Sequence, residues 1–266
     1  MLDIKNYVLK KKEELKKEVK DLGRPIKLVI VQVNDDPASN AYIRGKIKDC
    51  EEIGANYELI KLSPSIKEEE LFSLIDKLNK DNSVTGFIVQ LPLPKGFDEE
   101  KVKRAIISEK DIDGFNPLST FVAATPNGIV TFLTDNNYDF KGKNAVIIGR
   151  SNIVGKPIAM ELLAKDMNVT ILHSKTKNED LRFYLKHADL VIVSVGKEKF
   201  LTKDYELKKD AVVIDVGINR NKEGKLCGDC ESGLDVKFQS PVPGGVGLLT
   251  RLALLINLVK GAKNGF

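Results

Sequence analysis

The chain has little with which to build several common kinds of site. Its 266 residues hold two histidines, His173 and His187, and three cysteines, Cys50, Cys227 and Cys230. Cys227-Gly228-Asp229-Cys230 has C-x-x-C form, but a zinc site needs two further ligands. A redox motif belongs at a helix start near a βαβ unit. This segment follows an apparent turn at 221–224, so it reads as two small buried side chains in an edge strand. Few cysteines and no secretory leader point to a reducing cytoplasm. No apolar run reaches the ~20 residues of a membrane span. A surplus of one charge is also missing: 42 Lys+Arg against 38 Asp+Glu leave +4, and aromatics are 6%. That is a poor endowment for gripping nucleic acid. The lysine-rich run at 10–20 is interleaved with glutamates and reads as a solvated helix face. Repeats and low-complexity segments are absent.

What is present suits an α/β protein. Hydrophobic content of 42% is ample for a core, and the length allows one large or two modest domains. The most informative stretch is 143–163. Ala145–Ile148 is an apolar run without helical period, as in a buried parallel strand. Gly149-Arg150-Ser151-Asn152-Ile153-Val154-Gly155 follows, and Lys156-Pro157 opens a helix. Strand, glycine-bounded loop and helix place free N–H groups against a phosphate. The spacing is not G-x-G-x-x-G, so an ordinary βα turn reads equally well from these residues alone. A second strand, Val169–Leu172, ends at His173-Ser174-Lys175-Thr176, about 20 residues on, where dinucleotide folds meet the adenosine ribose. NAD sites place an acid there. Ser174 and Lys175, with Arg150 in the loop, suit a 2′-phosphate and hence NADP. Leu190–Val193 and Val212–Ile214 supply two more buried strands.

The first half repeats the alternation. Ile4, Val8, Leu15, Val19 and Leu22 recur at helical spacing, so 2–21 is an amphipathic helix. Leu28–Val31 is a buried strand, and Ser39 or Asn40 caps the next helix. There Ile43, Ile47 and Cys50 share a core face, while Tyr42 and Lys46 are i,i+4 neighbours on another stripe. By themselves these two read as a surface pair. Gly45 is a poor helix former that leaves room for something to approach. Residues 57–62, 67–79 and 86–90 read as strand, helix and central strand, stopped by Leu91-Pro92-Leu93-Pro94. Gln90, the start of the Lys46 helix and the loop at Asp113 then share the carboxyl edge where open α/β sheets bind ligands. Taken singly, Gln90 is a polar strand end and Asp113 a turn residue. Near the end, Pro241–Gly247 is a Pro/Gly loop that also reads as a rigid linker, and an apolar helix follows at 248–259.

Together the segments DDPASNAYIRGKIKDC, VQLPLP, DIDGF, TPNGIV, GRSNIVGKP, HSKT, DVGINR and PVPGGVG, in this order, resemble the bifunctional methylenetetrahydrofolate dehydrogenase/methenyltetrahydrofolate cyclohydrolase family (FolD-type) over nearly the whole chain. The resemblance implies two α/β domains with a cleft between them, the second Rossmann-like and dinucleotide-binding. Residues 1–120, completed by the C-terminal helix at 248–266, form the catalytic, folate-binding domain, and 121–247 the NAD(P)-binding domain. It implies NADP-dependent oxidation of 5,10-methylenetetrahydrofolate and hydrolysis of the methenyl product to 10-formyltetrahydrofolate. Lys46 would be the catalytic lysine, Tyr42 pack on the pterin, Gln90 assist Lys46, and Asp113 hydrogen-bond the pterin ring. Gly149, Arg150 and Ser151 would cradle the cofactor phosphates. Ser174 with Arg150 would meet the 2′-phosphate, and Ile218 the nicotinamide end. Tetrahydrofolate one-carbon derivatives as partners, a cytoplasmic homodimer, and no metal, nucleic acid or membrane complete the expectation.

The chain departs from the family pattern at Asn34, Ala124, Glu198-Lys199 and Leu248, where Gly, Cys, Pro-Gly and Pro are common. None of these removes a catalytic group. A monofunctional dehydrogenase is the competing enzyme, which the presence of Lys46 and Gln90 argues against. A non-catalytic folate or dinucleotide binder would not keep the lysine. A dehydrogenase of a small acid would call for a histidine with a carboxylate partner in the cleft, and neither His173 nor His187 is so placed.

Overall fold

The computed structural model describes residues 2–265. Its first half runs α1 (Ile4–Asp21), β1 (Lys27–Gln32), α2 (Pro37–Ile53), β2 (Asn56–Lys61), α3 (Glu68–Lys80), β3 (Gly86–Val89) and α4 (Glu99–Ala105). The second half continues with α5 (Ala124–Asp135), β4 (Asn144–Ile148), α6 (Gly155–Leu163), β5 (Asn168–Leu172), α7 (Asn178–His187) and β6 (Leu190–Val193). β7 (Val212–Asp215), β8 (Asn219–Arg220), β9 (Leu226–Cys227), β10 (Phe238–Gln239) and α8 (Val246–Lys263) complete it. This is the α/β class expected from the strand–helix alternation. Packing divides the chain into two compact units, Leu9–Ala124 with Arg251–Phe266, and Met1–Val8 with Thr125–Thr250. Both α1 and α8 therefore run across a boundary. No described helix is long and apolar enough to cross a membrane.

The unit holding Leu9–Ala124 contains a parallel sheet of order β2-β1-β3. β1 is central and Leu28–Val31 are fully buried, which explains their unbroken apolar run. β3 is not central, as the sequence suggested, but lies at the edge, with one bridge from Phe87 to Asp111 on its outer side. Phe87, Val89, Leu71, Ile75 and Val102 close the core between sheet, α3 and α4. Each such side chain contributes about 1.5–3 kcal/mol by leaving water. The chain passes from β1 to β2 on one side and then to β3 on the other. That switch opens a crevice at the strands' carboxyl ends.

The cap of α2 is also not where the sequence placed it. Asp36, rather than Ser39 or Asn40, is the N-cap and accepts the Ser39 N–H at 2.8 Å. Pro37 fits the first turn because an N–H there would have no helical partner. Gly54, at φ +79°, ends the helix in the left-handed conformation.

The other unit holds a five-stranded parallel sheet of order β10-β7-β6-β4-β5 and a small antiparallel pair, β8–β9. Val146, Ile148, Val191, Val193 and Val213 pack with Leu181 and Leu185 of α7. Here the order reverses at β4, which has β5 on one side and β6 on the other. The two cysteines of the C-x-x-C differ in setting. Cys230 is buried and bridges to Leu201, whereas Cys227 is half-buried in β9 of the separate two-stranded pair.

Candidate active site

The buried stripe of α2 carries Ser39, Ile43, Lys46, Asp49, Cys50 and Ile53, which recur with the helical period. Lys46 is therefore not on a solvent stripe, and it is only 6% exposed. Its Nζ donates to Gln90 Oε1 at 3.1 Å. Gln90 is itself held twice: its N–H extends the ladder to Val31 O at 2.8 Å, and its Nε2 donates to Leu91 O at 2.8 Å.

Asp113 reaches the same place from the 110–124 segment. Phe87 N–H donates to Lys110 O at 3.0 Å, which stitches that segment to the free side of β3. Asn257 of α8, buried, donates to Ile112 O at 2.9 Å and Val122 O at 3.3 Å, drawing both arms of the loop together. Ala124 N–H closes it on Asp113 O at 3.0 Å.

Burial is the main influence on all three titrating groups. It pushes the Lys46 amine below the ordinary lysine range; Asp113 and Cys50 oppose the shift, and Arg251 reinforces it. The Asp113 carboxyl is pushed up by burial against the pull of Lys46. Tyr42, half-buried, is raised by burial, with Arg251 opposing. An amine held below the ordinary lysine range, beside an uncharged amide and an acid, is equipped to take and return a proton.

Arg251 and Asp49 escaped the sequence reading. Arg251 Nε lies 3.0 Å from Asp49 Oδ2, and Lys12 of α1 pairs with Asp49 Oδ1 and, at 2.6 Å, with Glu52. The signal was Gly45: a Cβ there would meet the Arg251 guanidinium. What Gly45 makes room for is a cation from α8.

Asp111, buried one residue from Ile112, is pushed up to about 6 by burial, with Asp113 adding to the shift and the bond from Asn116 N–H opposing it. A raised acid holds its proton longer when folded, so its contribution to stability falls as pH rises from 3.8 through about 6. Asp111→Asn keeps an acceptor for Asn116 N–H. It should stabilise the fold by up to about 3 kcal/mol at pH 7, and the gain should vanish near pH 4. Thermal melts of both proteins across that range measure this, and a gain independent of pH would rule it out.

The remaining site residues lie in the unit with the five-stranded sheet. Gly149 follows β4 with φ +124°, and a Cβ on it would fall 2.4 Å from Ser194 O. A Cβ on Gly155 would fall 2.3 Å from Gly149 O, so the loop closes on itself through both glycines. Ser151 Oγ accepts Val154 N–H at 3.2 Å and Gly155 N–H at 3.3 Å. Among the described residues the backbone N–H groups of 150–153 have no protein acceptor. Arg150 and Ser174 are exposed, and among the described residues neither Arg150 nor Lys175 is paired with a carboxylate. Ile218, half exposed, stands in the loop after β7. The cradle, the free amides and the unpaired cations fit a dinucleotide carrying an extra phosphate.

A buried lysine at one sheet's carboxyl edge and a glycine-closed loop with free amides at another's are the features of an α/β enzyme with a dinucleotide-binding part. Family models agree part by part: the tetrahydrofolate dehydrogenase/cyclohydrolase catalytic domain matches residues 2–113, and the NAD(P)-binding domain of the same family matches 123–266. The chain belongs to the tetrahydrofolate dehydrogenase/cyclohydrolase family. It is 46% identical to the bifunctional protein FolD of Bacillus anthracis, covering 96% of this chain and 93% of that one. The crystal structure of the bifunctional FolD of Campylobacter jejuni superposes with a TM-score of 0.95 at 42% identity, over 100% of this chain and 99% of that one. The Trypanosoma brucei enzyme, solved with NADP cofactor and an inhibitor, has a TM-score of 0.92 at 27% identity, over 99% and 97%.

Proposed function

We propose that the chain carries out two consecutive reactions on one folate. It oxidises 5,10-methylenetetrahydrofolate to 5,10-methenyltetrahydrofolate with NADP⁺, then hydrolyses that product to 10-formyltetrahydrofolate. The observation that carries the second step is the buried Lys46 amine on Gln90 with Asp113 beside it. The same observation disfavours a dehydrogenase without hydrolase activity, which has no need of a proton-transferring amine.

NADP⁺, when bound, supplies the hydride acceptor. The protein's part in that step is positioning: Tyr42 packs on the pterin, Asp113 hydrogen-bonds it, and Lys46 orients the one-carbon bridge. Hydride loss leaves a methenyl cation. Water adds to it, Lys46 takes the water's proton and returns one as the ring opens, and Gln90 holds lysine or water without titrating. The loop of Gly149, Arg150 and Ser151 holds the phosphates through its backbone, the Arg150 side chain with Ser174 holds the 2′-phosphate, and Ile218 the nicotinamide end. Chromatography of a complete reaction should give one 10-formyltetrahydrofolate per NADPH; methenyl product that accumulates without hydrolysis would refute the second activity.

Arg150→Ala tests the cofactor assignment. It should weaken NADP binding about 10–100-fold and NAD binding hardly at all, since only NADP offers a 2′-phosphate to a charge-assisted pair. Equal losses for both would mean Arg150 touches something else.

The residues 1–120 with 248–266 act as the folate-binding domain and 121–247 as the cofactor-binding domain. The protein works as a cytoplasmic homodimer, consistent with three free thiols and with exposed Met160, Leu163 and Ile171 on α6 and the edge strand β5. Light scattering should give twice 29.5 kDa; a monomer at working concentration would contradict it. The formyl product is the donor that purine biosynthesis draws on.

A further inference from the structure

The Cys227-Gly228-Asp229-Cys230 segment takes no part in the chemistry above, yet it holds a fully buried carboxylate. Asp229 Oδ2 accepts the N–H groups of Val195 at 2.7 Å and Gly196 at 2.9 Å. Its Oδ1 accepts Lys197 N–H at 2.8 Å and Asn219 Nδ2 at 2.9 Å. Three successive amides of the loop leaving β6 thus converge on one side chain. Asp215, the last residue of β7 and also buried, does the same one step behind. It accepts the N–H groups of Gly217 at 3.0 Å, Asp229 at 2.9 Å and Cys230 at 2.8 Å.

Asp215 therefore seats Asp229, and Asp229 seats the β6 loop. Successive N–H groups form a nest that attracts an anion, and here the protein supplies the anion itself. The fit is close: a Cβ on Gly228 would fall 1.9 Å from Asp215 Oδ2, and one on Gly217 would fall 2.2 Å from Asp229 Cγ. The four donors on Asp229 need four acceptor sites, which a carboxylate has. A carboxamide would turn its own N–H groups against two of them. β6 and β7 are adjacent strands, and both held loops leave their carboxyl ends, the edge at which such sheets bind dinucleotides. Ile218 stands between Gly217 and Asn219, each bonded to one of the two acids.

We propose that Asp229, seated on Asp215, is a positioning residue for hydride transfer. It holds the Val195–Lys197 and Gly217–Asn219 loops in the geometry that receives the nicotinamide end of the cofactor. This rests on the reading of the chain as an NADP-dependent dehydrogenase.

The test is Asp229→Asn in the full chain, read by binding of NADP⁺ and of 2′,5′-ADP, by dehydrogenase turnover, and by hydrolysis of methenyltetrahydrofolate supplied directly. NADP⁺ affinity or dehydrogenase turnover should fall about 10²-fold, the cost of misplacing a reacting group by about 1 Å, while 2′,5′-ADP binding and methenyl hydrolysis stay within about twofold. 2′,5′-ADP lacks the nicotinamide end, so a merely structural role would lower its affinity as much as that of NADP⁺. Equal losses, or dehydrogenase turnover near the wild-type value with NADP⁺ affinity intact, overturn the proposal. If Asp229→Asn does not fold, Asn219→Ala decides, because it removes one donor and leaves the acid. A milder split of the same sense supports the proposal, and no split overturns it. Wild-type protein that forms no methenyl product with NADP⁺ would instead sink the assigned activity, whatever the variant does.

Discussion

Lys46→Met should abolish methenyl hydrolysis while leaving a folded protein that still binds folate. The variant keeps the length and apolar stem of lysine and removes the amine placed on Gln90 Oε1. If that amine transfers the proton of the attacking water, hydrolysis should drop by at least about 10²-fold, the usual worth of a positioned acid or base. Oxidation should fall less if there lysine only orients the substrate. The variant should then convert methylenetetrahydrofolate to methenyl product and stop. Lys46 is buried, so the substitution removes a desolvated amine. Asp113, already pushed up by burial, can keep its proton without it, so the thermal melt should not collapse. Near-normal hydrolysis by folded Lys46→Met would take lysine out of the mechanism.

Gly149→Ala should produce the opposite split. Alanine is strained at φ +124°, and its Cβ would fall 2.4 Å from a backbone oxygen, so either the loop or the end of β6 has to move. If this loop cradles the cofactor phosphates, that movement spoils it. NADP⁺ affinity should fall by about 10²-fold or more and the melt should drop by several degrees, equivalent to about 2 kcal/mol or more. Hydrolysis of added methenyltetrahydrofolate should persist, since Lys46, Gln90 and Asp113 belong to the other unit. Titration with NADP⁺ and a cofactor-free hydrolysis assay separate the two effects. Unchanged NADP⁺ binding would show that the loop after β4 does not hold the phosphates.

Much of this was legible in the sequence because buried parallel strands are plain apolar runs. Leu28–Val31, Leu190–Val193 and Val212–Ile214 all became strands, and the glycine-bounded loop sits where a strand meets a helix. An apolar run stopped by Leu91-Pro92-Leu93-Pro94 reads as a central strand, yet β3 is an edge strand, because no local pattern tells the two apart when a loop covers the free side. Proline in the first turn displaced the cap from Ser39 to Asp36. The burial of Lys46 was illegible for a different reason. Ile43, Ile47 and Cys50 read as the core face with Lys46 on another stripe beside Tyr42, whereas Lys46 is buried with Asp49, whose charge Lys12 and Arg251 meet from distant segments. Asp229 was hidden by its neighbours: C-G-D-C invites attention to the cysteines, whereas the acid between them makes the contacts.

The most direct test follows a single progress curve. Methylenetetrahydrofolate and NADP⁺ are mixed with the wild-type protein, and methenyltetrahydrofolate is followed by its absorbance alongside NADPH. The methenyl signal should rise, remain low, and decay by protein-catalysed hydrolysis while NADPH reaches its full yield; with Lys46→Met it should instead build up and persist. A wild-type curve in which methenyl product accumulates to match NADPH and then decays only at the rate seen without protein would contradict a second activity built on Lys46.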